Sequence, residues 1–296
     1  MSAAAHNAAF VSSPPEGHDA TDAVYVYGVV GRDAMAAGVA PPTEGIVPGV
    51  PVELLPAGDL AVVASRAPQT AFAPPETPET STQDWATGRA LAHHHVLAAM
   101  ASLCTVAPVK FGALCRNMDD ILALFERQGS EFARVLDRVA GAQEWGVKLF
   151  ADMDASRTMA ENTLAVATLK AEMTAASPGK AYFLRKKLDD AISEELREVL
   201  NRLSENIHGQ LAALSKEATP NPAQQQLGAQ LGSKSRLLIL DASYLVAVNR
   251  TVELQQTVAH FAETLPAQGA DLILTGPWPP YSFASVDTGG ASDGPH

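Results

Sequence analysis

The sequence predicts an α+β protein of two domains, each mixing strands and helices. Three observations carry this expectation. A chain of 296 residues is long enough for two ordinary cores. Short β-branched and aromatic runs of strand length recur in both halves. Between them, an apolar series steps by three or four from residue 178 to 217, as a long helix requires. With 47% apolar and 18% charged residues, the balance is that of a folded chain rather than a disordered one.

Residues 1–22 are rich in Ala, Ser and Pro, lack a basic start and contain no continuous apolar run, so they read as a disordered tail rather than a signal peptide. Ala23 to Val30 then reads as a core strand ended by Gly31. Val52 to Leu55 and Leu60 to Ser65 flank Pro56-Ala57-Gly58-Asp59, a turn signal that predicts a hairpin. Pro68, Pro74, Pro75 and Pro78 make residues 68–82 a surface loop, because proline supplies no backbone donor.

From Gln83 the spacing of Trp85, Leu91, Val96, Leu97 and Met100 is close to one face of a helix. Thr105 to Gly112 reads as a strand that Pro108 confines to an edge or a strand start. Two short helices, Met118 to Gln128 and Glu131 to Ala140, precede Gly141, and Glu144 to Ala151 is the next strand.

Residues 154–176 and 178–217 read as helices. The second opens with Ser177-Pro178, a cap followed by the proline favoured at the first helical position. A short link makes the two a long antiparallel hairpin, with Gly209 the place where the longer helix could bend. Thr219 to Gly232 reads as a loop or short edge strand. Arg236 to Asn249 gives a buried strand, an interruption at Ser243 and a second apolar run. Thr251 to Leu265 is an amphipathic helix stopped by Pro266, and Asp271 to Leu274 is the last strand. Strand, helices, strand, helix, strand is the ferredoxin-like order of elements. The expected domains are 23–141 and 142–284, with a second disordered tail at 285–296.

A formal charge of −12 repels phosphate backbones and anionic lipid surfaces, so neither nucleic acid nor membrane is an expected partner. No window approaches the roughly 18 apolar residues of a spanning helix. Cys104 and Cys115 are the only cysteines, too few for a disulfide framework or a structural zinc, and they suit the reducing cytoplasm.

Several phrases together resemble the F/L family of gas vesicle proteins: Tyr25-Val-Tyr-Gly28, Ala107-Pro-Val-Lys-Phe-Gly112, Glu144-Trp-Gly-Val-Lys-Leu-Phe150, Gly179-Lys-Ala-Tyr-Phe-Leu184 and Leu274-Thr-Gly-Pro-Trp-Pro-Pro-Tyr-Ser-Phe283. The resemblance spans about residues 23–284. It implies an N-terminal α+β domain of unusual topology and a modified ferredoxin-like C-terminal domain. It also implies an accessory or minor structural component of the gas vesicle that contacts the main shell protein and other vesicle accessory proteins, limiting shell aggregation or helping nucleate assembly. F-type and L-type members share these phrases. Cys104 and Cys115, which flank the Ala107 to Gly112 phrase, depart from the small or apolar residues expected there.

No catalytic constellation emerges, and no cofactor or metal is expected. His93, His94 and His95 are adjacent on a helix, point about 100° apart and cannot converge on one ion. Pro178-Gly179-Lys180 lacks the earlier glycine and the following Ser or Thr of a phosphate loop, and Ala242-Ser243-Tyr244 lacks the glycines of a nucleophile elbow. Arg185, Lys186 and Lys187 form a basic cluster, either a solvated helix face or a docking patch for an acidic partner.

Trp278, Pro279, Pro280 and Tyr281 are the sharper candidate. The prolines fix an extended segment, and the two aromatics carry apolar area with polar tips, the composition of a binding hot spot. The competing reading packs both rings into the core of the C-terminal domain. The rival function from another class is a ferredoxin-like small-ligand sensor or enzyme, which needs a pocket with convergent polar groups.

Overall fold

Strand β1 (Asp22–Gly31) is the axis of the first unit. It pairs antiparallel with β3 (Leu60–Pro68), which pairs with β2 (Glu53–Ala57) across the hairpin turn at Gly58, where φ is +64°. Its other edge carries β4 (Val106–Pro108) and β5 (Leu114–Cys115), so the order is β2-β3-β1-β4 with β5 also on β1. A short α1 (Arg32–Ala36) follows β1. Both faces of this sheet are covered: α2 (Thr82–Leu103) packs Val96, Leu97 and Met100 against Tyr25, Tyr27 and Val30. On the opposite face, α3 (Met118–Val139) contributes Ile121 against Val24 and Val26, and Phe132 and Val135 against Val29. That two-sided burial is why β1 is a continuous apolar run instead of an alternating one. A register shift between Val26 and Gly28 re-phases the strand, so that Val26 and Val29 face the same side. Gly28 is required by close approach: a Cβ there would lie 2.8 Å from the Ala107 carbonyl oxygen.

The structure, a computed structural model, describes residues 22–73, 82–221 and 236–284. The two expected tails, most of the proline-rich loop and most of the loop expected after Thr219 lie outside the described residues. Asp22, assigned to the tail from sequence, opens β1.

The second unit runs β6 (Ala142–Asp152), α4 (Met153–Glu161), α5 (Leu164–Thr174), α6 (Pro178–Leu214), β7 (Glu217–Pro220), β8 (Arg236–Ala247), α7 (Thr251–Thr264) and β9 (Ala270–Trp278). Its strand order, β7-β8-β6-β9, together with this chain order is the ferredoxin-like arrangement. Trp145, Val147 and Leu149 of β6 and Leu240, Ala242, Tyr244 and Val246 of β8 face Ile207 and Leu211 of α6 and Leu254 and Phe261 of α7. Further toward its N-terminus, α6 leaves the sheet and packs Leu188 and Ile192 against Val166 of α5. Its 37 residues, about 55 Å at 1.5 Å per residue, serve these two cores in turn.

Several expectations change. The two short helices at 118–140 are one helix, because the apolar face of α3 outweighs the cost of Gly129. The strand expected over 105–112 shrinks to three residues of β4, and β8 passes through Ser243 without interruption. The helix expected over 154–176 is divided into α4 and α5. α6 continues through Gly209. The compact units are Met1–Gly141 with Trp278–His296, and Ala142–Pro277. Residues 278–284, expected in the second domain, thus go with the first unit, where Ala284 packs near Val29, Leu60 and Phe132.

Candidate functional site

The segment after β9 is built as a display. Pro279 and Pro280 are buried, while Trp278 and Tyr281 are each 39% exposed. The Tyr281 N–H donates to the Pro279 carbonyl at 2.7 Å, and the Phe283 N–H donates to the Pro280 carbonyl at 3.1 Å, which tightens the chain into a turn. Phe283 is fully buried and anchors that turn. The ring that closes a core here is therefore Phe283, and the other two aromatics are left at the surface of the first unit. Proline at 279 and 280 fixes φ, so less conformational entropy remains to be lost when the segment is ordered.

His94 of α2 supports this display. Its Nδ1 lies 3.1 Å from the Tyr281 hydroxyl, and its ring centroid is 5.3 Å from that of Trp278 and 6.0 Å from that of Tyr281. Burial, and secondarily the neighbouring His95, pushes its pKa below the ordinary histidine value, favouring the neutral ring. Leu91, one turn earlier on α2, is 54% exposed. Nothing local in the sequence marks His94, because its partners stand more than 180 positions away.

Arg185 and Lys186 belong to the second unit and are exposed on α6, so they do not form one cluster with Trp278 and Tyr281 by sequence or by unit. Beside them are the two most exposed aromatics of the described chain, Tyr182 at 74% and Phe183 at 76%, whose rings meet edge to face at 5.9 Å. The sequence placed this pair within a family phrase and assigned it no role.

The remaining chemical candidates are accounted for by packing. His93 is 3% exposed. The Gly112 N–H donates to the Tyr25 hydroxyl at 3.1 Å, and that hydroxyl lies 2.9 Å from His93 Nδ1. A second chain runs from the Ile46 N–H to the Tyr27 hydroxyl at 2.7 Å, on to Ser65 Oγ at 3.0 Å and to the Pro51 carbonyl at 3.0 Å. Desolvation holds His93 down to about 4, with the Val109 backbone partly opposing it.

Cys104 and Cys115 are free thiols of intermediate burial. Burial pushes the Cys115 pKa up to about 11 and raises that of Cys104, the opposite of an activated thiol. Ser243 lies mid-strand, 3.4 Å from Asn221 Nδ2, and Lys180 sits in the first turn of α6. Among the described residues no three His, Cys, Asp or Glu side chains gather as a metal site, and no helix is long and apolar enough to cross a membrane.

The molecule is a two-unit α+β protein whose second unit is ferredoxin-like, with exposed aromatics at proline- and helix-fixed positions. Residues 23–285 match the family model described as gas vesicle synthesis protein GvpL/GvpF, and the chain belongs to that family. It is 29% identical over 254 residues to gas vesicle protein L of Streptomyces sp. (strain CB03234), covering 83% of this chain and 90% of the relative. It is 26% identical over 240 residues to gas vesicle protein F of the same strain, covering 80% and 89%. The crystal structure of GvpF from Anabaena sp. PCC7120 has the same fold, with a TM-score of 0.66 at 16% identity over 90% of this chain and 100% of that one.

Proposed function

We propose that this chain is an accessory or minor structural protein of gas vesicle assembly, acting in the cytoplasm and at the vesicle. In this role it binds the main shell protein and limits its aggregation or helps nucleate the vesicle. The observation that carries the proposal is the display of Trp278 and Tyr281, 39% exposed on a turn held by buried Pro279, Pro280 and Phe283. A shell protein that polymerises through apolar surface needs that surface covered before assembly, and rigid aromatics cover it at small entropic cost. The work is binding, with no bond made or broken. Arg185 and Lys186 offer a second, basic contact for an acidic vesicle accessory protein. The net charge of −12 weighs against nucleic acid and anionic membrane.

The test is co-purification with the main shell protein, comparing wild type with a Trp278→Ala, Tyr281→Ala double variant whose folding is verified by circular dichroism. As hot-spot aromatics the two would carry at least about 2 kcal/mol each, so the variant should bind at least about a hundredfold more weakly. Equal retention would move the contact elsewhere. Failure of both proteins to bind would overturn the proposal.

A further inference from the structure

The first part of α6 is segregated by charge. Residues 178–187 carry Lys180, Arg185, Lys186 and Lys187 and no carboxylate, whereas residues 188–198 carry Asp189, Asp190, Glu194, Glu195 and Glu198 against Arg197 alone. At 100° per residue the inward stripe is Leu184, Leu188 and Ile192, all buried. The opposite face presents Tyr182, Phe183, Lys186, Asp190, Ser193 and Arg197, all exposed. Among the described residues Lys186 and Asp190 make no ion pair, although they stand four positions apart.

Farther along the same face, Ser193, Leu196, Arg197 and Leu200 of α6 and Leu238 and Ile239 of β8 line a groove of about 520 Å³. One helix face therefore carries two projecting aromatic rings, then a lysine and an aspartate of opposite charge, then a groove. That sequence of features is complementary to itself when reversed.

We infer that the chain pairs with a second copy of itself through antiparallel apposition of the exposed face of α6, with the two-fold axis crossing that face at the level of residue 188. In that register Lys186 of each copy faces Asp190 of the other, and Tyr182 and Phe183 lie over Glu194 and Ser193 of the other. Helix side chains lean toward their own N-terminus. In an antiparallel pair this lean carries both rings toward Leu196 and Leu200 of the second copy, the apolar side of its groove. The residues from Pro178 to Glu198 span about 30 Å, or between about five and six turns of helix.

The interface is isologous, so each contact occurs twice. A parallel arrangement would set the cationic segments against each other and leave both grooves empty. The two copies repel through their net charge of −12, but that repulsion is screened beyond about 8 Å at physiological ionic strength, whereas the contact itself alternates in sign. This inference uses surface of the second unit only and does not depend on shell-protein binding; it gives Lys186 to the second copy and leaves Arg185 as the basic contact for an accessory protein.

Sedimentation velocity of the full chain, over about 1 to 100 µM, tests it. Wild type should pass from monomer to dimer. The variants Lys186→Asp and Asp190→Lys should each be monomeric, because each sets like charges opposite one another, and an equimolar mixture of the two should dimerise again. Tyr182→Ser with Phe183→Ser should weaken association at least tenfold. All these positions are exposed, and circular dichroism checks that the variants fold. A monomeric wild type, single charge variants that dimerise as wild type does, or a mixture that stays monomeric would each overturn the inference.

Discussion

His94 and Tyr281 meet through Nδ1 and hydroxyl at 3.1 Å, joining α2 to a segment 187 positions later in the chain. The bond lies on a partly exposed surface, so its effect on stability is small and its effect on the geometry of the aromatic pair is larger. His94→Ala should lower stability by no more than about 1 kcal/mol. Without the imidazole, Tyr281 loses its hydrogen bond to His94 and Trp278 its neighbouring ring, so the proposed capture of the main shell protein should fall several-fold. A His94→Ala protein with unchanged capture would show that the imidazole does not position this pair.

His93, one residue earlier, behaves differently because it is buried. An unfolded chain protonates this histidine near 6.5, whereas the folded chain does so only near 4. Between these values the unfolded state binds more protons, so stability rises with pH and falls as pH drops from about 6.5 toward 4. At pH 5 the loss from this group is about 2 kcal/mol. Urea unfolding at pH 7 and pH 5 should show a smaller acid loss in His93→Asn, which keeps an acceptor toward Tyr25 but does not titrate. Equal acid losses in the two proteins would remove His93 as the cause.

Much of the fold could be read because its signals are local. β1 and β3 are runs of largely apolar residues at strand length, β6 alternates apolar with polar residues, and the stripe from Leu184 to Leu211 matches the buried side of α6. Where local rules conflicted with packing, packing prevailed. The sequence divides 118–140 into two helices, leaving out residues 129 and 130, yet Ile121, Phe132 and Val135 hold α3 as one helix against the sheet. Ser243 suggested an interruption, yet its backbone stays in β8 opposite Gly146, and its hydroxyl lies near Asn221.

The candidate site was legible only in part for the same reason. Pro279, Pro280 and the two aromatics form a local pattern, but the support from His94 and the anchoring by Phe283 depend on long-range contacts. The groove beside α6 needs β8, more than 30 positions away.

The buried hydroxyl chain offers a test of polar packing. Ser65→Ala removes the acceptor of the buried Tyr27 hydroxyl and the donor to the Pro51 carbonyl, and Pro51 is itself exposed, so the stranded buried group is the Tyr27 hydroxyl. It should cost about 1 to 3 kcal/mol, and Tyr27→Phe should cost a comparable amount by stranding the Ile46 N–H and Ser65. Because the groups form one network, the double variant should cost clearly less than the two added together. Strict additivity in chemical denaturation would show that the hydroxyls act separately.

The two thiols give a readout of burial in solution. The thiolate is the reactive form, and burial pushes Cys115 up to about 11 and raises Cys104 as well. At pH 7.5 an ordinary thiol with pKa near 8.5 is about a tenth ionised, whereas one near 11 is ionised in about one molecule in three thousand. A thiol-specific disulfide reagent should therefore react with native Cys115 at least tenfold more slowly than with the same residue in denaturant. The native rate should climb as pH rises toward 11, and Cys104→Ala should isolate Cys115 for the measurement. Native and unfolded rates that coincide at pH 7.5 would mean that Cys115 is open to solvent and that the packing of α3 over β5 is looser than the structure shows.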